Sequence, residues 1–203
     1  MKLYIADFAP NPRRVRWILA EKRISDIEVI KVDLMSLEHK RIDPITAGGS
    51  VTLPVLELDD GTCIAESIAI GRYLENLYPE PNLYGRDAKE TAIIEMWTRR
   101  VEMLMANPAM MAVRMTLPAL AVLEAPNAEV GAYNLKVAEA FADALDAHMA
   151  GRDFIATDRM TVVDIAAATS LDFARVIRFR PDRGRENLRR WLLAMRERAP
   201  KEV

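Results

Sequence analysis

Apolar and polar positions follow two different rhythms along this chain, and the change of rhythm divides it. In the first part, four short apolar runs have strand length: residues 2–6, 27–34, 55–58 and 62–65. Between the first two, Val15, Ile18 and Leu19, with Ile24 further on, repeat at helical spacing. They predict an inward stripe with the arginines facing outward. Asn11 followed by Pro12 predicts the start of that helix: the asparagine caps, and proline occupies the first turn, where its missing N–H costs nothing. Asp59-Asp60-Gly61 between the last two runs predicts a tight hairpin. Pro54, in front of the third run, belongs at the start or edge of a strand, because a central position would lose a ladder hydrogen bond. Residues 67–78 then read as a helix with Ile70, Leu74 and Leu77 inward and Pro79 ending it.

Residues 79–87, PEPNLYGRD, are rich in turn formers, and beyond them the strand signal vanishes. Residues 88–105 predict one long helix that Pro108 interrupts or ends. A further helical stretch runs to about residue 123, with a bend near Pro118. Residues 127–149 predict a helix whose stripe is Leu135, Ala138, Ala142 and Leu145. Thr161-Val162-Val163-Asp164 is a capping motif at the head of another, with Thr161 as the cap and Asp164 reaching back. Residues 186–198 predict the last helix, with Leu188, Trp191, Leu192 and Met195 inward. The reading is a mixed α/β domain over residues 1–79, a linker over 80–87 and an all-helical domain over 88–203.

With 203 residues the chain has room for one large domain or two small ones, and a hydrophobic content of 51% suffices for a sizeable core. A net charge of −2 suggests neither a nucleic acid nor an anionic membrane as partner. The single cysteine, Cys63, excludes an internal disulfide framework and an all-cysteine zinc site; in the short second strand of the hairpin it reads as a small buried apolar residue. Two histidines far apart and one cysteine make no ligand cluster, so no metal is expected. There is no signal-peptide pattern and no apolar run of membrane length, and a soluble, reducing, cytoplasmic setting is the expectation.

The stretch TLPVLELDDGTCIAES, residues 52–67, carries the most chemistry. A helix opening at Ser67 points its first N–H groups and positive dipole end at whatever precedes it, an arrangement that suits a carboxylate. Glu66 beside it can take an ammonium group, so the pair suits the head of an α-amino acid. The other reading makes Ser67 only an N-cap. The pattern LPVL–DDG–I-ES-AI--YLE resembles the thioredoxin-like half of glutathione transferases. The resemblance implies the order β-α-β-α-β-β-α, a thioredoxin-like α/β domain, followed by an all-α C-terminal domain. It implies that Pro54 is cis, that Leu53 offers its backbone to the cysteinyl part of glutathione, and that Glu66 and Ser67 hold the γ-glutamyl end.

The segment APNPRRVRWILAEKRI, residues 9–24, is similar to theta-like bacterial and fungal members of the family. In such members a histidine at the position of His39 contacts the glycine carboxylate of glutathione, with Lys40 here supplying a charge; from the residues alone the pair also reads as a solvated polar face. The loop DPITAGGSVTLP has Gly48-Gly49 where Asn-Pro is common in the family, with no change in length. TxxD at residues 161–164 resembles the family's folding signature.

One position departs from the pattern. Theta-like sequences often carry a serine directly before the Pro-Asn to activate the glutathione thiol; here that residue is Ala9, and no Ser, Thr or Cys stands between Met1 and Ile24. Tyr4 lies too early in the first strand to replace it. A helix N-terminus can lower a thiol pKa, and Asn11 is the best-placed polar side chain, the catalytic candidate, with a plain N-cap as its other reading. Met96, Met103, Met105, Met110, Met111 and Met115 crowd one region. Singly each reads as helix core; as a group they suit an adaptable site for a hydrophobic co-substrate.

The resemblance implies a glutathione transferase acting in detoxification: the thiolate of glutathione, the co-substrate, attacks a small hydrophobic electrophile or reduces a peroxide. It also implies a homodimer. A non-catalytic glutathione- or ligand-binding protein that keeps the fold is the alternative, and Ala9 is its support. A third reading is an interaction module like the transferase-like domains attached to translation factors, against which the Glu66-Ser67 pair stands.

Overall fold

Lys2–Ile5 (β1) is the strand on which the first part of the chain is assembled. It pairs in parallel with Glu28–Lys31 (β2), Leu3 opposite Val29, and antiparallel with Val55–Glu57 (β3), Leu3 opposite Leu56. Cys63–Ala65 (β4) pairs antiparallel with β3, giving the order β2-β1-β3-β4. Leu3, Ile5, Val55 and Leu56 are fully buried, as continuous apolar runs in central strands must be. The hairpin turns at Asp59-Asp60-Gly61, where Gly61 takes the positive φ of 84° that a side chain would resist. The second strand is shorter than residues 27–34. After Lys31 the Asp33 carboxylate accepts from the N–H groups of Met35 and Ser36 and bends the backbone out of the ladder.

This is a computed structural model, and it describes residues 1–47 and 51–201. Two compact units divide between Asn82 and Leu83, within the turn-rich segment. Gly48 and Gly49, the residues standing in place of Asn-Pro, lie outside the described residues.

Pro10–Glu21 (α1) connects β1 and β2 and begins one residue before the expected first proline. Ala9, with φ −82° and ψ 139°, is the cap residue, and Asn11 lies inside the first turn. Pro10 has the fixed φ and missing N–H that suit the first helical position, and the Ala9 carbonyl accepts from Arg13 N–H at 3.2 Å. Asn11 is therefore not the cap. Nor do all the arginines face outward: Arg14 is only 3% exposed. A 3-10 turn, Glu38–Lys40, leads to Asp43–Ala47 (α2), and Ser67–Leu77 (α3) closes the unit and packs on α1.

The second unit is helical. Ala88–Val101 (α4) is capped by Asp87, whose carboxylate accepts from Glu90 N–H at 2.8 Å. It widens into a π-helical turn, Glu102–Ala106, before Asn107–Thr116 (α5), so the expected single helix over 88–105 is broken. Pro108 has no N–H to give to Leu104, and the wider turn accommodates it. α5 stops at Thr116 rather than near residue 123, because Pro118 holds Leu117 extended; only a 3-10 turn, Pro118–Leu120, follows.

Ala128–His148 (α6) is capped by Asn127, which accepts from the N–H groups of Glu129 and Val130. Val162–Ala174 (α7) is the buried core helix, and Glu186–Arg198 (α8) covers it with Leu188, Trp191, Leu192 and Met195. The fully buried Asp164 ties these pieces together. It accepts from the N–H groups of Ile155 at 2.9 Å and Thr161 at 3.0 Å and from the Trp191 indole at 3.1 Å. Among the described residues no helix is long and apolar enough to cross a membrane.

Candidate functional site

The site grows from the two helices that start beside the sheet. The Leu53–Pro54 peptide is cis, as the resemblance implied, and both residues are buried at the entrance to β3. Leu53 shares one apolar cluster with Tyr4, Ala6, Val32, Ile45 and Val55, and Ala9 packs against the same cluster. The loop after β1 and the cis-proline loop are thus brought together.

β4 ends at Ala65, and the exposed Glu66 that follows has φ 69° and ψ 115°, a conformation rare outside glycine. Glu66 is the cap residue of α3, and Ser67 is its first helical residue. Ser67 is 3% exposed, and its hydroxyl accepts a 2.8 Å hydrogen bond from Nη1 of the buried Arg14. The reading of Ser67 as a mere N-cap is therefore not what is found. Arg14 was missed in the sequence, although a signal existed: it precedes Trp17 and Ile18 by three and four positions, which places it on their inward face.

Helices α1 and α3 run in the same direction. Arg14, near the start of α1, meets Ser67 at the start of α3. Lys22, just past the end of α1, meets Glu75 at 2.7 Å and the carbonyls of Tyr78 and Pro81 at 2.7 and 2.9 Å, at the end of α3. The positive dipole ends of both helices consequently lie on one side of the unit, with a buried guanidinium at one of them.

At α1 the supply of donors is small. Pro10 and Pro12 have no N–H, the Ala9 N–H is bonded to Ala6 O, and the Arg13 N–H to Ala9 O. The Asn11 N–H is what remains. Tyr4 is no substitute for a missing serine. Its hydroxyl donates to Glu57 at 2.7 Å, and burial, then that carboxylate, push its pKa up to about 12.

His39 is 4% exposed and not part of a solvated face, whereas Lys40 beside it is exposed. Burial, followed by the charge of Lys40, lowers the His39 pKa, so the imidazole is neutral at neutral pH. Its Nδ1 is buried with no hydrogen-bond partner among the described residues. Cys63 is half-buried rather than buried, and burial, then Glu57, raise its pKa, so it stays a thiol. The methionines do not act as one group. Met105 and Met115 are core, while Met96 and Met103 are exposed. Among the described residues no group of three or more His, Cys, Asp or Glu side chains is placed to hold a metal ion.

Comparison with known proteins bears on the whole chain. The sequence model of the glutathione S-transferase N-terminal domain matches residues 8–77, and that of the C-terminal domain matches residues 106–199. Glutathione S-transferase 2 of Saccharomyces cerevisiae is 32% identical over 201 residues, covering 98% of this chain and 86% of that protein. The crystal structure of Gtt2 from Saccharomyces cerevisiae superposes with a TM-score of 0.91 at 31% identity, covering 100% of this chain and 98% of that one. That of a glutathione S-transferase domain-containing protein from Marinobacter aquaeolei VT8 gives 0.90 at 34% identity, covering 100% of both chains. Two domain matches in the right order, a relative aligned end to end and the cis-proline, Glu66-Ser67 arrangement agree: the chain belongs to the glutathione S-transferase family.

Proposed function

We propose that the protein is a glutathione transferase of theta-like type without the usual serine, joining the thiolate of glutathione to a hydrophobic electrophile or using it to reduce a peroxide. The observation that carries this reading is Ser67, held by the buried Arg14 at the start of α3 beside a Glu66 in a rare backbone conformation. That constellation suits the α-amino and α-carboxylate groups of the γ-glutamyl end: Glu66 takes the ammonium, and Ser67 and the helix start take the carboxylate. Leu53, at the cis-proline, offers its backbone to the cysteinyl part, and His39 with Lys40 takes the glycine carboxylate. The unpartnered Nδ1 of His39 supports a ligand contact there. Asn11, at the start of α1, stabilises the thiolate. Residues 1–79 then form the glutathione domain, 80–87 the linker, and 88–203 the domain for the hydrophobic co-substrate.

Calorimetric binding of glutathione, followed by turnover of a panel of electrophiles and peroxides, tests the proposal. Binding without turnover would favour a non-catalytic glutathione-binding protein, a reading that Ala9 supports because its methyl group gives no donor to a thiolate. A cytoplasmic homodimer acting in detoxification completes the reading. A monomer mass in sedimentation at micromolar concentration would contradict the dimer.

A further inference from the structure

From Asp172 to Arg196 the chain carries eight arginines against three acidic side chains, a surplus of five positive charges in a protein of net charge −2. Some of this charge is internally neutralised. Arg185 bonds Glu139 at 2.8 Å and Asp143 at 2.9 Å on α6. Arg190 bonds Asp153 at 2.9 Å and the carbonyls of Met149 and Arg152. Arg196 bonds Asp172 at 2.8 Å, and Arg175 approaches the same carboxylate oxygen at 3.8 Å.

Arg180, Arg183 and Arg189 are different. Among the described residues their side chains make no hydrogen bond or ion pair, although Arg180 is half-buried. These three, with Arg175, Arg196 and Asp182, line one cavity of about 300 Å³ between the end of α7, the loop after it and α8. Five guanidinium groups face two carboxylates there, Asp172 and Asp182, which leaves three positive charges uncompensated. Like charges gathered into a concave site raise the local concentration of anions and repel one another until an anion enters.

We propose that this cavity binds a compact polyanion of the di- or triphosphate class. Planar guanidinium forks match phosphate oxygens in pairs, and several forks around one hollow suit an anion carrying several charges close together. The volume lies at the lower limit of small-molecule pockets, which fits a short phosphate chain. A duplex or a bilayer would ask for an extended basic stripe, whereas the rest of this chain is acidic in balance. The phosphates come either from an inorganic chain or from a nucleotide. The inference is independent of the glutathione site, since every residue it uses belongs to the helical unit.

Calorimetry of the full chain with inorganic tripolyphosphate and with ATP, at constant ionic strength, tests it. Saturable binding of one anion per chain is expected. The double variant Arg180→Gln/Arg183→Gln, and separately Arg189→Gln, should weaken it by about tenfold or more, because each removes a charge-assisted contact. Arg99→Gln, on α4, should leave it unchanged, and glutathione affinity should not move in any of these variants. Equal affinity for both probes assigns the cavity to phosphates alone; tighter binding of ATP assigns it to a nucleotide. No saturable binding of either probe overturns the proposal, as does equal binding by wild type and both cavity variants. Tighter binding of a DNA duplex or of phosphatidylserine vesicles than of tripolyphosphate, lost in the same variants, also overturns it.

Discussion

The start of α1 makes the thiol chemistry testable at one backbone atom. Of its first three helical residues only Asn11 carries an N–H, because Pro10 and Pro12 have none. Asn11→Pro deletes that N–H together with the side chain; Asn11→Ala deletes the side chain alone. The helix should survive both changes. Proline is tolerated in a first turn, and Pro12 already follows a helical residue here. A hydrogen bond to a charged group contributes about 1.5–3 kcal/mol. At about 1.36 kcal/mol per pKa unit, losing it raises the pKa of bound glutathione by about one to two units. The helix dipole, about 0.3–1 kcal/mol when exposed and up to about 2 when partly buried, remains in both variants.

A free thiol titrates near about 8.5, and the wild-type site should hold it near about 7, with a transferase rate rising through about pH 7–8. In Asn11→Pro the thiolate absorbance of bound glutathione should titrate close to the free value and the rate profile should follow. In Asn11→Ala both should stay near wild type. A thiol that titrates alike in wild type and Asn11→Pro would refute the backbone donor. An Asn11→Ala shift as large as that of Asn11→Pro would move the role to the side chain. A wild-type bound thiol that titrates like free glutathione would end the enzymatic reading.

Glu66→Ala and Ser67→Ala should each weaken glutathione binding by about 1–3 kcal/mol, the cost of an unpaired charged or polar group; unchanged affinity in both by calorimetry removes the site. Lys22→Met should destabilise the fold by about 3–5 kcal/mol, because Glu75 is left buried without its ion pair; a urea midpoint close to wild type would contradict this. Asp164 has its pKa pushed up to about 6 by burial, against an unfolded value of 3.8. The folded state therefore binds the extra proton, so this contribution is fully present below the unfolded pKa and is lost as pH rises through about 6. Urea midpoints against pH should fall across that window in wild type and stay flatter in Asp164→Asn, and parallel curves would refute it.

The elements carried by local signals were legible. The hairpin around Asp59-Asp60-Gly61, the Thr161–Asp164 capping box and α8, which runs over the expected residues, depend on neighbours within one or two turns. Where two local signals competed, the reading slipped. Pro10 and Pro12 are both acceptable in a first turn, and starting at Pro10 gains the Arg13 to Ala9 bond. The π-turn before Pro108 was hidden because the apolar pattern runs through it unbroken. In the site, the proline, Glu66 and Ser67 could be read because they stand in one stretch. Arg14 could not, because its partner lies 53 residues away and a charged side chain in a helix reads as solvated by default.

The two buried cations of α1 divide the labour between stability and binding. Lys22 sits against the last carbonyls of α3, where a cation and a dipole attract, and its ammonium is satisfied by Glu75, Tyr78 and Pro81. Arg14 sits at the opposite end, against the start of α3, where the dipole opposes a cation. A buried guanidinium there is an unfavourable placement for the folded chain alone, and the Ser67 hydroxyl is a weak partner for it. It becomes favourable when a carboxylate arrives at the same helix start, because the anion then meets the dipole and the guanidinium together. Rules of local stability are broken at Arg14 and at Glu66, and kept at Lys22, so the strain is concentrated where α3 begins.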